Sequence, residues 1–222
     1  MKIAIPAVGW REPAAPWIPV ALGAAFAVEF VALAWAPHDR SDWLLENLIS
    51  IPAALFLVLG RRLHRLSYGT VLALFVFLAL HEVGSHYTYS LVPYQAWWSA
   101  LDGGRNHYDR LVHFGFGLLV LPTPWQMLRR VIRGRAWLRA SLSVAVVVAC
   151  STFYELLEWG AARTVDPELG IAFVGAQGDI WDAQKDTALA LLGSWISVGF
   201  LWARERAQRH APSGASPRRP DS

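Results

Sequence analysis

The residues best suited to chemistry lie in Gly175-Ala-Gln-Gly-Asp-Ile-Trp-Asp-Ala-Gln-Lys-Asp186, directly before an apolar run. Read as a helix start, with about 100° of rotation per residue, this segment places Asp179, Asp182 and Asp186 within roughly 60° of one another. Three carboxylates on one face repel each other and are costly at the edge of hydrocarbon. Because hard cations prefer oxygen ligands, the spacing predicts a site for a divalent cation such as Mg²⁺ or Mn²⁺. The alternative is that these acids only suit a helix N-terminus, where the macrodipole stabilises them.

Two further clusters fit acid–base chemistry. Asp109 and His113 lie at i and i+4, where a carboxylate commonly orients an imidazole and raises its basicity, so His113 is a candidate general base or nucleophile. Glu155 and Glu158 lie one turn apart, and either can serve as the partner acid or base. The alternative for both clusters is an ion-pair network that holds the helices together.

A third cluster, His81-Glu82-Val-Gly-Ser-His86, adds three more catalytic candidates. Its spacing is one residue too long for the His-Glu-x-x-His pattern of zinc proteases, which needs both imidazoles on one helix face. Glu82 and His86 share a face at i and i+4, so a structural pair is the other interpretation. The candidate substrate-binding residues from the polar clusters are Arg110, Tyr87, Tyr154, Gln177, Gln184 and Lys185.

The elements that position these residues are predicted to be membrane-spanning helices. The 222-residue chain is 55% hydrophobic and only 17% charged, with a mean hydropathy of +0.31, whereas soluble domains are about a quarter charged. Its 12 Trp residues also suit a bilayer interface. Apolar runs long enough to cross about 30 Å of hydrocarbon occur at residues 17–36, 43–60, 68–82, 111–128, 140–159 and 187–203. The third is expected to continue through His86, and the fourth to begin near Asp109. We therefore predict an all-α, polytopic membrane bundle of about six transmembrane helices.

The distribution of basic residues predicts the orientation of the bundle. Fifteen of the 20 Lys and Arg residues fall on the side that holds both termini, and the positive-inside rule therefore places both termini in the cytoplasm. We predict a cytoplasmic segment over residues 1–16, a transmembrane domain over 17–203 and a disordered cytoplasmic tail over 204–222. The basic excess is thus a topology signal, and nucleic acid is not predicted as a partner. The polar clusters all fall at the extracytoplasmic ends of helices 3 to 6.

Five segments carry a family resemblance: His81-Glu82-Val-Gly-Ser-His86-Tyr87-Thr-Tyr89, Val92-Pro93, Tyr108-Asp109-Arg110-Leu-Val-His113-Phe114, Tyr154-Glu155-Leu-Leu-Glu158-Trp159 and Gly175-Ala-Gln177-Gly178-Asp179-Ile-Trp181-Asp182-Ala-Gln184-Lys-Asp186. Together they resemble the YjdF-type bacterial inner-membrane proteins, a family of unknown function. The resemblance covers most of the chain and implies a multi-pass protein of the bacterial inner membrane.

A looser similarity is to the VanZ-like membrane proteins, which carry Asp-Lys-x-x-His, Glu-x-x-Gln and Asp-x-x-x-Asn on successive helices. The corresponding segments here are Asp109-Arg110-x-x-His113, Glu155-x-x-Glu158 and Asp182-x-x-x-Asp186. Arg, Glu and Asp replace Lys, Gln and Asn, so the chemistry need not be the same. The similarity implies the modification or exchange of lipid head groups.

The leading hypothesis is a membrane-embedded enzyme that acts on a lipid or lipid-linked head group. In this hypothesis Arg110 contacts a phosphate or carboxylate of the substrate. The chain has no phosphate-binding loop for ATP, and its single Cys150 excludes an internal disulfide framework. The alternatives are an ion- or proton-coupled transporter, for which Glu29 in the middle of helix 1 would fit a relay, and a non-catalytic assembly or interaction factor.

Overall fold

The structure, a computed structural model, describes residues 17–64, 66–93, 104–132, 134–165 and 167–210. In these ranges the regular structure is entirely helical. The helices are α1 (Trp17–Ala34), α2 (Arg40–His64), α3 (Tyr68–His86), α4 (Tyr108–Val120), α5 (Pro122–Val131), α6 (Ala136–Ala162), α7 (Pro167–Val174) and α8 (Asp182–His210). Five segments of the described chain are long and apolar enough to cross a membrane: α1, α3, α4 with α5, α6 and α8. The all-helical, multi-span architecture predicted from the apolar runs is confirmed.

The predicted second span corresponds to α2, whose 25 residues extend about 37 Å at 1.5 Å per residue. The predicted terminal segment 1–16 lies outside the described residues, as do residues 211–222 of the predicted tail. Residues 204–210 of that tail continue α8 as helix. The helix extends this far in a packed environment, since Glu205 is buried against Arg139 of α6.

The predicted fourth span is divided into two helices. α4 ends at Val120, and α5 begins at Pro122 after the single residue Leu121. Proline lacks the backbone N–H that a helix interior requires but is accepted in a first turn, so Pro122 marks a natural helix start. Leu121 and Trp125 are fully buried and form a core cluster with apolar residues of α6 and α8.

α4 and α8 pack closely against each other, and two glycines allow this approach. A Cβ added to Gly117 would lie 2.0 Å from the carbonyl oxygen of Ala190, and one added to Gly193 would lie 2.3 Å from that of Phe114. Small residues at such contacts let helix backbones meet in a membrane, where packing rather than water exclusion drives association. This contact aligns the first turns of α4 and α8.

The remaining helices pack around this pair. α3 contacts α4 on one side, and its apolar cluster of Leu66, Val71, Leu74, Phe75 and Leu78 also packs against Leu22 and Phe26 of α1. α6 contacts α8 on the other side. Large apolar side chains stay exposed along all the long helices, as expected for a surface that faces lipid rather than water.

Candidate functional site

The turn before α8 differs from the prediction made for it. The sequence pattern predicts that Asp179 shares a helix face with Asp182 and Asp186, but α8 begins only at Asp182. Gln177 and Gly178 adopt left-handed backbone conformations, with φ of 48° and 84°, and these conformations are incompatible with a continuing helix. Asp179 lies in the turn that follows them, where its Oδ1 accepts a hydrogen bond of 3.1 Å from the backbone N–H of Trp181.

Three carboxylates meet where the first turns of α4 and α8 lie side by side. Asp109 of α4 and Asp182 and Asp186 of α8 each place one carboxylate oxygen within 4.8 Å of the other two. Asp186 is almost fully buried, and its Oδ1 has no hydrogen-bond partner among the described residues. We call these three residues the carboxylate centre; they are close enough for one cation to bind all three.

His113 of α4 lies beside the carboxylate centre and is surrounded by polar groups of two helices. Its Nε2 is 3.5 Å from Oδ1 of Asp109 and 3.2 Å from Oε1 of Glu155 on α6, while its Nδ1 is 3.3 Å from Oγ of Ser151. The imidazole is buried. Two carboxylates on Nε2 and a hydroxyl on Nδ1 fix the ring orientation; carboxylates favour a proton on Nε2, which leaves Nδ1, beside Ser151, as the proton-accepting nitrogen.

Two arginines lie beside Asp182 of the carboxylate centre. Arg105 pairs with Oδ1 of Asp182 and donates a further hydrogen bond to the carbonyl of Ala176. Arg110 pairs with Asp179 and lies 3.6 Å from Oδ1 of Asp182. Guanidinium groups in such positions offer further N–H donors for a phosphate or carboxylate ligand.

Asp179 is held by cations instead of joining the carboxylate centre. Lys185 donates a hydrogen bond to its Oδ2, and Arg110 pairs with the same oxygen. The Lys185 hydrogen bond, followed by that from the Trp181 N–H, lowers the pKa of Asp179 to about 2. The metal site predicted for Asp179, Asp182 and Asp186 stays a prediction, but the structure brings Asp109 rather than Asp179 to the other two carboxylates.

The three candidates at the end of α3 point in different directions. Nδ1 of His81 is 2.5 Å from the hydroxyl of Tyr89, and Nδ1 of His86 is 2.7 Å from the carbonyl of Leu33 on α1. Glu82 faces a groove between α1 and α2. These side chains thus contact their own neighbours, and no described contact joins them to the carboxylate centre.

Some of the remaining candidate residues lie near His113 or in the turn before α8, and others do not. Glu158 is buried on α6, one turn after Glu155. Tyr154 donates a hydrogen bond to Glu46 of α2, and its ring centroid lies 6.2 Å from that of His113. Gln177 fixes the turn before α8, because its side chain exchanges two hydrogen bonds of 2.9 Å with the backbone of Asn106. Tyr87 packs edge-on against His86, while Gln184 and Lys185 are exposed.

Three residues at or near this site did not emerge from the sequence pattern as site residues: Arg105, Asn106 and Ser151. Arg105 had a usable signal, since it is one of only five basic residues on the predicted extracytoplasmic side. Asn106 lies in the stretch before α4, where its side chain joins the carbonyls of Ser90 and Val92 to the first N–H of that helix. Ser151 had no signal, because a serine within an apolar run usually hydrogen-bonds its own helix.

Comparison with known proteins places the chain in a family. Residues 18–207 match the family described as "Predicted membrane protein (DUF2238)". The chain belongs to this family. It is also 38% identical over 175 residues to the inner membrane protein YjdF of Escherichia coli (strain K12), an alignment that covers 74% of this chain and 79% of that protein. No solved structure matches.

The predicted resemblance to YjdF-type proteins is therefore confirmed, and so is the predicted location. Membership of this family and five segments of membrane-spanning length among the described residues make the chain a multi-pass protein of the bacterial inner membrane. Neither name states an activity.

Proposed function

We propose that this protein is a divalent-cation-dependent enzyme that modifies or exchanges the phosphate-containing head group of a lipid or lipid-linked substrate. The observation that carries the proposal is the position of His113, which lies 3.5 Å from Asp109, a member of the carboxylate centre. Three clustered carboxylates and a histidine thus lie side by side.

The charge of the carboxylate centre supports a bound cation. Two unit charges 4.8 Å apart repel by about 3 to 4 kcal/mol at an effective dielectric constant of about 20. Arg105 and Arg110 offset part of this repulsion, but both approach from the side of Asp182. Neither pairs with Asp109 or Asp186, and Oδ1 of Asp186 accepts no hydrogen bond from the described residues. A divalent cation bound by all three carboxylates would satisfy that oxygen and remove the repulsion.

In this proposal the metal ion and the protein side chains would contribute different parts of the chemistry. When bound, Mg²⁺ or Mn²⁺ would polarise a phosphoryl oxygen. His113 would accept a proton from the attacking hydroxyl or water as its oxygen bonds to phosphorus, with Asp109 and Glu155 stabilising the imidazolium that forms. The imidazolium would then return that proton to the departing alcohol oxygen as its bond to phosphorus breaks. Arg110 and Arg105 would contact the phosphate oxygens. The predicted topology puts this site at the extracytoplasmic end of the bundle, which is the depth of lipid head groups.

The VanZ-like pattern adds support of a weaker kind. Its acidic and imidazole positions correspond here to Asp109, His113, Glu155, Asp182 and Asp186, which are the residues that the fold brings together. Head-group modification is the activity that the likeness implies.

Cation binding is tested by Mn²⁺ electron paramagnetic resonance on the purified full-length protein. We expect Asp109→Asn and Asp186→Asn each to weaken Mn²⁺ binding by at least about tenfold, since each removes a ligand. Asp179→Asn is the matched control, because that carboxylate is held by Lys185 and Arg110. Equal Mn²⁺ affinity in the wild type and both ligand variants would refute the proposed cation site.

Activity is tested in cells by deleting the gene, profiling membrane lipids and restoring expression with variants. We expect the wild-type protein and His38→Ala to restore the lipid profile, and His113→Ala to fail at a comparable protein level. His38 is an exposed histidine between α1 and α2, so it controls for imidazole loss. A lipid profile that does not change on deletion would contradict the enzymatic proposal.

Ion- or proton-coupled transport is the second candidate. The hydrogen bond from Tyr154 to Glu46 joins an acidic residue of α2 to the helix that carries Glu155, as a proton relay would require. Proteoliposomes with an internal pH dye distinguish the two functions. Proton uptake that Glu46→Gln abolishes and His113→Ala leaves intact would favour transport.

A further inference from the structure

Arginines from three helix ends gather at the end of the bundle opposite the carboxylate centre. Those that reach the surface are Arg129 and Arg130 in the last turn of α5, Arg135 at the N-cap of α6, and Arg204 and Arg206 near the end of α8. Contacts with Glu205 bring these helix ends together, because Arg139 of α6 donates to both of its carboxylate oxygens and Nη1 of Arg129 lies 4.0 Å from one of them. We call the five surface residues the arginine surface.

Positive charge predominates on the arginine surface even after its ion pairs are considered. Glu205 is the only acidic residue in the described parts of residues 121–142 and 200–210. Arg139 and Arg129 share this one carboxylate, although their side chains are only 7% and 26% exposed. Charge at the edge of hydrocarbon is costly unless a group of opposite sign lies nearby. The excess positive charge therefore favours an anionic ligand.

Exposed apolar side chains beside the arginines indicate that this ligand is a lipid. Val131 directly follows Arg130 and is 80% exposed, while Trp137 lies in the first turn of α6 and is 64% exposed. Tryptophan in such a position suits the boundary between lipid head groups and hydrocarbon. A soluble anion would contact the arginines alone, whereas a phospholipid offers a phosphodiester to the arginines and acyl chains to Val131 and Trp137.

Membrane orientation does not by itself account for the arginine surface. The positive-inside rule requires only that basic residues lie in the loops on one side of the membrane. It does not require that arginines of α5 and α6 meet at a single carboxylate of α8, nor that exposed apolar residues accompany them. Convergence of charge from three helices is what a bound anion needs.

We propose that the arginine surface binds an anionic glycerophospholipid, with its phosphodiester against the guanidinium groups and its acyl chains along Val131 and Trp137. Arginine suits this role because its planar guanidinium can donate two parallel hydrogen bonds to one phosphate. Zwitterionic phospholipids have the same phosphate but add an ammonium group, which the excess positive charge disfavours. This lipid is a bound partner and not the substrate of the proposed reaction, so its binding is independent of the carboxylate centre.

The test is native mass spectrometry of the purified full-length protein, titrated with phosphatidylglycerol or with phosphatidylcholine of the same acyl chains. We expect the first phosphatidylglycerol to bind the wild type at least about tenfold more tightly than the first phosphatidylcholine. The double variant Arg130→Gln, Arg204→Gln removes two charges from exposed side chains. It is expected to lose at least about tenfold in phosphatidylglycerol affinity and to keep its phosphatidylcholine affinity. Equal affinity of the wild type for the two lipids, or equal phosphatidylglycerol affinity in the wild type and the double variant, overturns the proposal.

Three controls separate a lipid site from folding defects and from total charge. Arg130→Lys, Arg204→Lys keeps both charges and is expected to bind phosphatidylglycerol more tightly than the glutamine variant does. Arg40→Gln, Arg163→Gln removes two exposed arginines at the opposite end of the bundle and is expected to bind phosphatidylglycerol as the wild type does. Glycerophosphoglycerol, the head group without acyl chains, is expected not to displace the lipid at equal concentration. A lysine variant no better than the glutamine variant, weaker binding in the Arg40, Arg163 variant, or displacement by the head group alone would each reject this lipid site.

Discussion

Gly193 of α8 packs directly against the backbone of Gly117 of α4, so that a Cβ on Gly193 would lie 3.3 Å from the carbonyl carbon of Gly117. The carboxylates of Asp109, Asp182 and Asp186 lie at one end of the same helix pair. The distance between these acids is therefore set by a backbone contact two to three turns away. Fold and candidate site depend on the same pair of small residues.

Replacing either glycine is expected to separate the two helices. Gly193→Ala places a methyl group 2.3 Å from the carbonyl oxygen of Phe114, and overpacking of this kind costs about 1–3 kcal/mol. We expect a lower melting temperature in detergent together with weaker Mn²⁺ binding. Gly199→Ala on the same helix is the control, because nothing lies within 4 Å of its added Cβ. Equal melting temperatures for the two variants would contradict the proposed contact.

The turn before α8 is expected to keep its ion pairs in acid. The pKa of Asp179 is lowered from 3.8 to about 2, mainly by the hydrogen bond from Lys185. A lowered carboxyl pKa contributes stability that is present above pH 3.8 and is lost as the pH falls through about 2. A ¹³C-carboxyl titration is expected to show this low midpoint, and Lys185→Ala to raise it towards 3.8. An unchanged midpoint in Lys185→Ala would show that the hydrogen bond is absent.

A buried ion pair at the opposite end of the bundle is expected to matter more for stability than the surface pairs. Arg139 donates hydrogen bonds of 3.0 and 2.8 Å to the two carboxylate oxygens of Glu205, and Trp125 Nε1 donates one of 3.2 Å. Glu205→Ala leaves the buried Arg139 charge without this carboxylate, which typically costs about 3–5 kcal/mol. Thermal unfolding in detergent measures the loss.

The double variant Arg139→Met, Glu205→Met provides the comparison. Because it removes both charges and keeps the volume, we expect it to be more stable than Glu205→Ala alone. A double variant that is no more stable would show that these groups do not act as a pair.

The sequence predicts the helices well because hydrophobic length is a direct physical requirement of a bilayer. Runs of apolar residues predicted the spans, and the helices found match them within several residues at most ends. Their ends were less accurate where a charge is buried, as at Glu205, or where left-handed backbone precedes a helix, as at Gln177 and Gly178. Both effects depend on local geometry that hydropathy does not measure.

Contacts between helices were predicted less completely. The i, i+4 spacing of Asp109 and His113 already implied their contact, because it lies within one helix. The approach of Glu155 to His113, and of Asp109 to Asp186, depends on how α4, α6 and α8 are rotated. A helix that is apolar on every side gives no amphipathic signal of this rotation. His81, Glu82 and His86 diverged for the same reason.

Ion pairs hold α8 near both of its ends, and they restrict how this helix can move. Asp182 pairs with Arg105 at one end, and Glu205 pairs with Arg139 at the other. The two anchors are separated by roughly 34 Å of helix at 1.5 Å per residue. A slide of α8 along the membrane normal would displace both ion pairs at once, and a tilt about Gly193 would also displace both, because that residue lies midway between the two anchors. A rigid-body movement of α8 should therefore require that these ion pairs break or that Arg105 and Arg139 move with the helix.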